Sequence, residues 1–359
     1  MESWSFWQSY IFAWTFWTSL TVGCIGLMLM QNIVRAVWGY PVVRMCEAGA
    51  KLLPLMFVLY LILFAFGRSE LYPWAQPALV AKDPVLQYKM RFMSGWQVML
   101  RVFLIMVFWG ILILINLRSS RRQDETGDEN EARLRTNVSS PGLVFFILTL
   151  TFVFTDTVMS LEPHWYSTIY GLLFMADSGL VGFSFVTILL MLFRNREPYR
   201  GVVNRVVMRD LGNLLLTFTM VWAYFNISQF LIQWSGNLPE EVSYYFVRDN
   251  DPWRWLGILT MIGQFFLPFL LLLSNRAKRE PQKLLAVAAL IFIVRAADIY
   301  WIIIPTFRTQ GPGLGGLVDL GIWLVMGAIW LAGFFALLKT RPLLPRYITE
   351  SQMEALEHA

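Results

Sequence analysis

The chain has 359 residues, of which 57% are hydrophobic, 16% aromatic and only 15% charged. A water-soluble chain carries about 25% charged residues, so the shortfall excludes an ordinary soluble domain and indicates a protein dissolved in lipid. Two histidines and two cysteines exclude an iron–sulfur cluster, which takes about four thiolates, a bis-histidine haem beside any second metal site, and every closed zinc site except one using all four residues. Cys24 lies in an apolar run and Cys46 beside a basic segment, so both read as free small hydrophobes. The net charge of +5 does not indicate nucleic acid, because the basic residues fall between apolar runs.

A helix that crosses the hydrocarbon core needs roughly 20 mostly apolar residues. In chain order nine segments qualify: 10–30, 50–66, 97–116, 141–161, 168–193, 211–234, 255–275, 284–304 and 316–338. No basic stretch precedes the first, and it is too long for the core of a signal peptide, so it reads as a retained span. The second is the weakest, with a short uncharged part and with Glu47 and Lys51 at its entrance. Between the third and fourth, the sequence RRQDETGDENEAR (121–133) is charged and lacks apolar periodicity, so a mobile connector is expected there. The fold class is thus all-α and integral to a membrane. The connectors group spans one to four (1–161) and five to eight (162–304) into two four-helix bundles, with a peripheral ninth helix and a tail (305–359).

The lysines and arginines give the orientation. The side of the N-terminus receives seven: Arg68, Lys82, Lys89, Arg91, Arg248, Arg254 and Arg308. The other side receives 20, and Arg101 and Arg295 lie inside spans. The C-terminus is therefore expected in the cytoplasm and the N-terminus outside. Trp4, Trp7, Trp74, Trp165, Trp234, Trp253 and Trp255 fall near the outer boundary and read as interfacial anchors.

An ionisable side chain inside a span costs on the order of 3 kcal/mol on insertion scales. Five stand out: Asp156, Asp177, Arg295, Asp298 and Asp319. At 1.5 Å per residue, Asp156 and Asp298 lie about 7–10 Å below the outer boundary, Asp319 about one turn below it, and Asp177 near the bilayer middle. Arg295 and Asp298, three apart on one helix, are placed to pair. Three aspartates then remain for one buried cation, a condition that suits proton relay.

The fourth connection, Asp156 to Thr168, places Glu162, His164 and Tyr166 together at the outer boundary without a basic residue. His and Glu accept protons from a phenolic hydroxyl as it is oxidised; helix capping and interfacial anchoring explain the same residues without chemistry. The sixth connection, Trp234 to Tyr245 with Pro239, Glu240 and Glu241, reads either as a turn and a short interfacial helix or, with the fourth connection, as an acidic outer surface for docking a basic partner such as a cytochrome domain.

Several stretches together resemble the second quinone-binding, NrfD-like membrane subunit of alternative complex III, the bacterial quinol:cytochrome c or quinol:acceptor oxidoreductase. They are FWQSY (6–10), Glu47-Ala48 with Leu53-Pro54-Leu55, Leu71-Tyr72-Pro73-Trp74, MSLEPHWYSTIYG (159–171), SQFLIQWSGNLPEE (228–241) and Tyr300-Trp301. The resemblance implies a multi-pass subunit of the bacterial cytoplasmic membrane that catalyses only as part of an assembly. Its partners would be a sister NrfD-like subunit, a multihaem cytochrome c, an iron–sulfur protein, a monohaem cytochrome c, small membrane-anchored subunits and lipid. The ligand would be a quinone such as menaquinone, with no haem, cluster or metal in this chain. Asp156, Glu162, His164, Asp177 and Asp298 would form a proton route, and His164, Tyr166, Arg295 and Tyr300 would contact quinone. Two departures stand out. Members of that family usually carry one more span ahead of the segment matching 6–30, and the position after the span-four aspartate, often Trp, is Thr157 here. A scaffold subunit with no quinone site of its own is the second reading; a transporter would need inverted repeats, and none is visible.

Overall fold

A computed structural model of the chain describes residues 4–347. Every regular element among them is helical. Nine helical segments are long and apolar enough to cross a membrane: Phe6–Val34, Val43–Leu71, Gly95–Thr126, Glu129–Leu161, Tyr170–Phe193, Arg205–Gly236, Trp253–Leu273, Pro281–Thr306 and Gly315–Leu338. Lipid offers no partner to backbone N–H and C=O groups, so each span closes its own hydrogen bonds as a helix. These segments are called spans one to nine below.

Spans one to four close a ring, each packing on the next and the fourth on the first; spans five to eight close a second ring in the same way. The rings meet where span one lies along span five, with spans four and eight beside that contact. Span one is buried along almost its whole length. Its close approach to span five depends on glycine: a Cβ at Gly23 would stand 2.1 Å from the Ser178 carbonyl oxygen. Lipid tails are as apolar as leucine, so such small-residue contacts and polar pairs hold spans together where a hydrophobic driving force is missing. Span nine lies outside both rings, against spans one and two. It is firmly seated, since Trp330 is fully buried and donates from Nε1 to Thr21 Oγ1 at 2.9 Å.

Three details differ from the sequence expectations. The charged stretch 121–133 is not a mobile connector but the tip of a helical hairpin. Gly127, at φ 74°, ends one helix and the Asp128 side chain caps the next. The Arg121–Glu125 pair and a bond from Ser119 Oγ to the Glu131 carbonyl hold the helices beyond the apolar region; polar i,i+4 pairing supports a helix without any apolar stripe. Span two begins at Val43, so Glu47 sits inside its first segment, buried, and not at an entrance. Pro54 accompanies a break after Ala50, and a π-turn follows at Leu63–Gly67. Finally, Trp74, Trp165 and Trp253 are buried packing residues, whereas Trp4, Trp234 and Trp255 are exposed as anchors should be.

Candidate functional site: buried charges of the two bundles

In the first bundle Asp156, near the end of span four, is met by Arg101 of span three in a bidentate contact, Nε to Oδ2 at 2.8 Å and Nη2 to Oδ1 at 2.9 Å. Arg101 also donates to the Phe92 carbonyl at 2.8 Å and lies 3.9 Å from the centre of its ring. One cation thus faces one acid. The expectation that Arg295 alone serves the buried aspartates does not hold, because Arg101, in the apolar run of span three, is a second cation and takes Asp156.

The second bundle is different. Arg295 of span eight is fully buried and contacts two carboxylates. Asp298, one turn on, accepts directly from its Nη2. Asp177 of span five places Oδ1 3.2 Å from Nη1, an ion contact that misses hydrogen-bond alignment. Trp222 of span six closes the group, its ring centre 5.3 Å from the guanidinium carbon. Asp177 and Asp298 are 1% and 5% exposed, so two acids share one cation with almost no access to water.

Asp319, at the start of span nine, is balanced by a residue assigned to a connector. Arg308 reaches it through Nη1 at 2.8 Å and Nη2 at 3.1 Å. Ser9 donates to the same carboxylate, and so does Tyr300, from its hydroxyl at 2.7 Å. Tyr300 is therefore committed to a structural bond.

The turn 159–170 disperses the residues expected to act together. Glu162 accepts from Arg248 Nη2 at 2.8 Å and from Thr306 Oγ1 at 2.6 Å. Arg248, at the end of the short helix Pro239–Arg248, is 2% exposed and lies 3.5 Å from the centre of the Tyr244 ring. Burial opposes its charge, but Tyr244 and the Glu162 carboxylate hold its pKa above the ordinary guanidinium value. His164 points away from this cluster and meets Asp83 at 2.8 Å, half exposed. Asp83 caps the helix Pro84–Lys89 through Val85 and Leu86 N–H groups. Desolvation pushes its carboxyl up, but the two N–H bonds and His164 outweigh it and hold the pKa below the ordinary value. Tyr166 is exposed, whereas Trp165 is buried and stacked on Tyr244 at 4.2 Å. A crevice of about 30 Å³ lies beside this turn, lined by Trp74, Lys89, Met159 and Trp165 among others.

Of the expected proton-route residues, the fold brings Asp177 and Asp298 together around Arg295, expected as a quinone contact, and leaves Asp156, Glu162 and His164 with separate partners. Nothing local in the sequence marks Arg248 and Arg308 as buried counterions, since both lie in connectors. Among the described residues no group of three or more His, Cys, Asp or Glu side chains converges as a metal site would require. No protein-family model matches the chain and no curated protein matches it in sequence. Fold and site therefore define a class: a multi-pass, all-α membrane protein whose interior charges are counterbalanced in one bundle and unbalanced in the other.

Proposed function

We propose that the chain is a membrane subunit of a quinol-oxidising respiratory assembly of the alternative complex III type, in the bacterial cytoplasmic membrane, and that its own part is proton transfer. The observation that carries this reading is the sharing of Arg295 by Asp177 and Asp298. Two carboxylates against one guanidinium leave a net negative charge in a site sealed from water, and a proton is the smallest species that balances it. A site balanced by a proton exchanges one when a neighbouring reaction supplies or removes it. The N-terminus would face the periplasm, as the 20 to 7 sorting of basic residues favours.

Quinol itself is assigned to the sister NrfD-like subunit. The crevice lined by Pro163 and Trp165, at about 30 Å³, is far below the roughly 300 Å³ at which small-ligand sites begin, and Tyr300 is engaged by Asp319. Electrons would pass to haem and iron–sulfur partners, since two Cys are too few for a cluster and two His allow at most one bis-histidine haem here. A purely structural role is the second reading, favoured by the one-to-one pairing of Asp156, Glu162 and Asp319 with arginines.

The test has two stages. Tagged chain purified from native membrane should bring haem-staining subunits and quinol-dependent electron transfer; recovery of the chain alone would sink the respiratory reading. In the intact assembly, Asp177→Asn or Asp298→Asn should lower proton release by about tenfold or more. Unchanged turnover and proton release would leave the scaffold role.

A further inference from the structure

The end of the first bundle remote from the N-terminus holds a cavity of about 590 Å³, within the range of small-ligand sites. Four arginines line it: Arg35 from the end of span one, Arg44 from span two, and Arg133 and Arg135 from span four. The acids in the lining are Glu47, Asp124 and Glu129. Glu47 and Asp124 are already shared between Arg44 and Arg341, with contacts of 2.7–3.0 Å at Arg341 and 2.8 Å between Arg44 and Glu47.

With Arg341 counted, five arginines meet three acids, an excess of two positive charges, and Arg35, Arg133 and Arg135 are the arginines outside the Glu47–Asp124 cluster. Among the described residues none of the three has a carboxylate within 4.0 Å. Arg35 donates to Thr136 Oγ1, and Arg135 to Ser119 Oγ and Gln123 Oε1. These acceptors are neutral, so they orient the guanidinium groups without cancelling their charge. The wall also keeps unused hydrogen-bonding capacity: Arg44 Nε and Gln31 Oε1 are buried without a protein partner among the described residues. A concave basic site at a span terminus, on the face with most of the lysines and arginines, is the kind of place where anionic headgroups are recognised.

We propose that this cavity binds a phosphate group, supplied either by the headgroup of an anionic phospholipid or by soluble phosphate. Guanidinium groups suit it because their planar N–H fork matches phosphate oxygens. The acidic segment 348–359, which carries Glu350, Glu354 and Glu357, is the competitor that the test controls for.

The full chain, within its native assembly or purified in mild detergent, is exchanged into phosphatidylcholine nanodiscs with and without phosphatidylglycerol, and bound lipid is read by native mass spectrometry. Inorganic phosphate is titrated separately in detergent. Selective retention of phosphatidylglycerol identifies the lipid source; saturable binding of inorganic phosphate alone identifies the soluble one. Either should weaken about 25-fold in the Arg133→Gln, Arg135→Gln double variant, at roughly fivefold per basic residue near a phosphate. Arg35→Gln is the second variant if the double one does not fold, with about fivefold expected. The proposal is overturned if folded variants bind as the parent does, if neither probe binds, or if binding appears only after residues 348–359 are deleted.

Discussion

The two bundles solve the problem of charge in lipid in opposite ways. In the first, Arg101 answers Asp156 one to one, with two well-aligned bonds. In the second, Arg295 answers both Asp177 and Asp298, and one of the contacts lacks hydrogen-bond geometry. A balanced pair is a static solution, because each partner is needed to make the other tolerable. An unbalanced trio has a second state within reach, one proton richer. On the proposed function, the contrast is between a structural ion pair and a proton-exchanging one.

The largest effect should come from breaking the balanced pair. Arg101→Met strands Asp156 in the membrane interior and should cost about 3–5 kcal/mol, read as loss of folded protein or a lower melting temperature in detergent. The double variant Arg101→Met, Asp156→Leu should recover most of that loss, since both charges go together. Next in size, Glu162→Gln removes the carboxylate from buried Arg248 and should cost about 1.5–3 kcal/mol, read by melting and by faster proteolysis of the 235–254 connection.

Asp177→Asn sharpens the comparison from the other side. It removes the excess charge of the trio, so its stability cost should stay below about 1 kcal/mol, while proton release in the assembly falls. A cost as large as that of Arg101→Met would mean that the trio is a second static pair.

The smallest effect lies in the connector. Asp83 has its carboxyl held below the ordinary range by the Val85 and Leu86 N–H groups and His164, against desolvation. A depressed folded-state pKa gives stability that is fully present above the unfolded carboxylate value and is lost as pH falls through the folded value. Proteolytic protection of 77–89 should therefore decline on acidification below that ordinary carboxylate value, and Asp83→Ala should abolish the pH dependence without changing the spans. Unaltered pH dependence in that variant would assign it to another group.

Much of this architecture is legible in the sequence. The nine spans appear as apolar runs because lipid enforces length and composition, and Arg295–Asp298 is visible as an i,i+3 pair. The partners of Asp156, Glu162 and Asp319 are not visible, since Arg101, Arg248 and Arg308 lie 55, 86 and 11 residues away. Nor does spacing reveal that His164 turns to Asp83 while Glu162, two residues earlier, turns to Arg248. The charged hairpin tip at Gly127 misleads because composition reports the missing apolar stripe but not the cap and the cross-hairpin bonds that replace it.

By itself the sequence determined that the chain lives in lipid, how many times it is able to cross, and which side chains the membrane would make expensive. These follow from hydropathy and charge, which are properties of each segment alone. The tertiary structure decided which charges cancel. That outcome depends on how spans from distant parts of the chain are apposed, and it leaves Asp156 neutralised while Asp177 and Asp298 divide a single arginine.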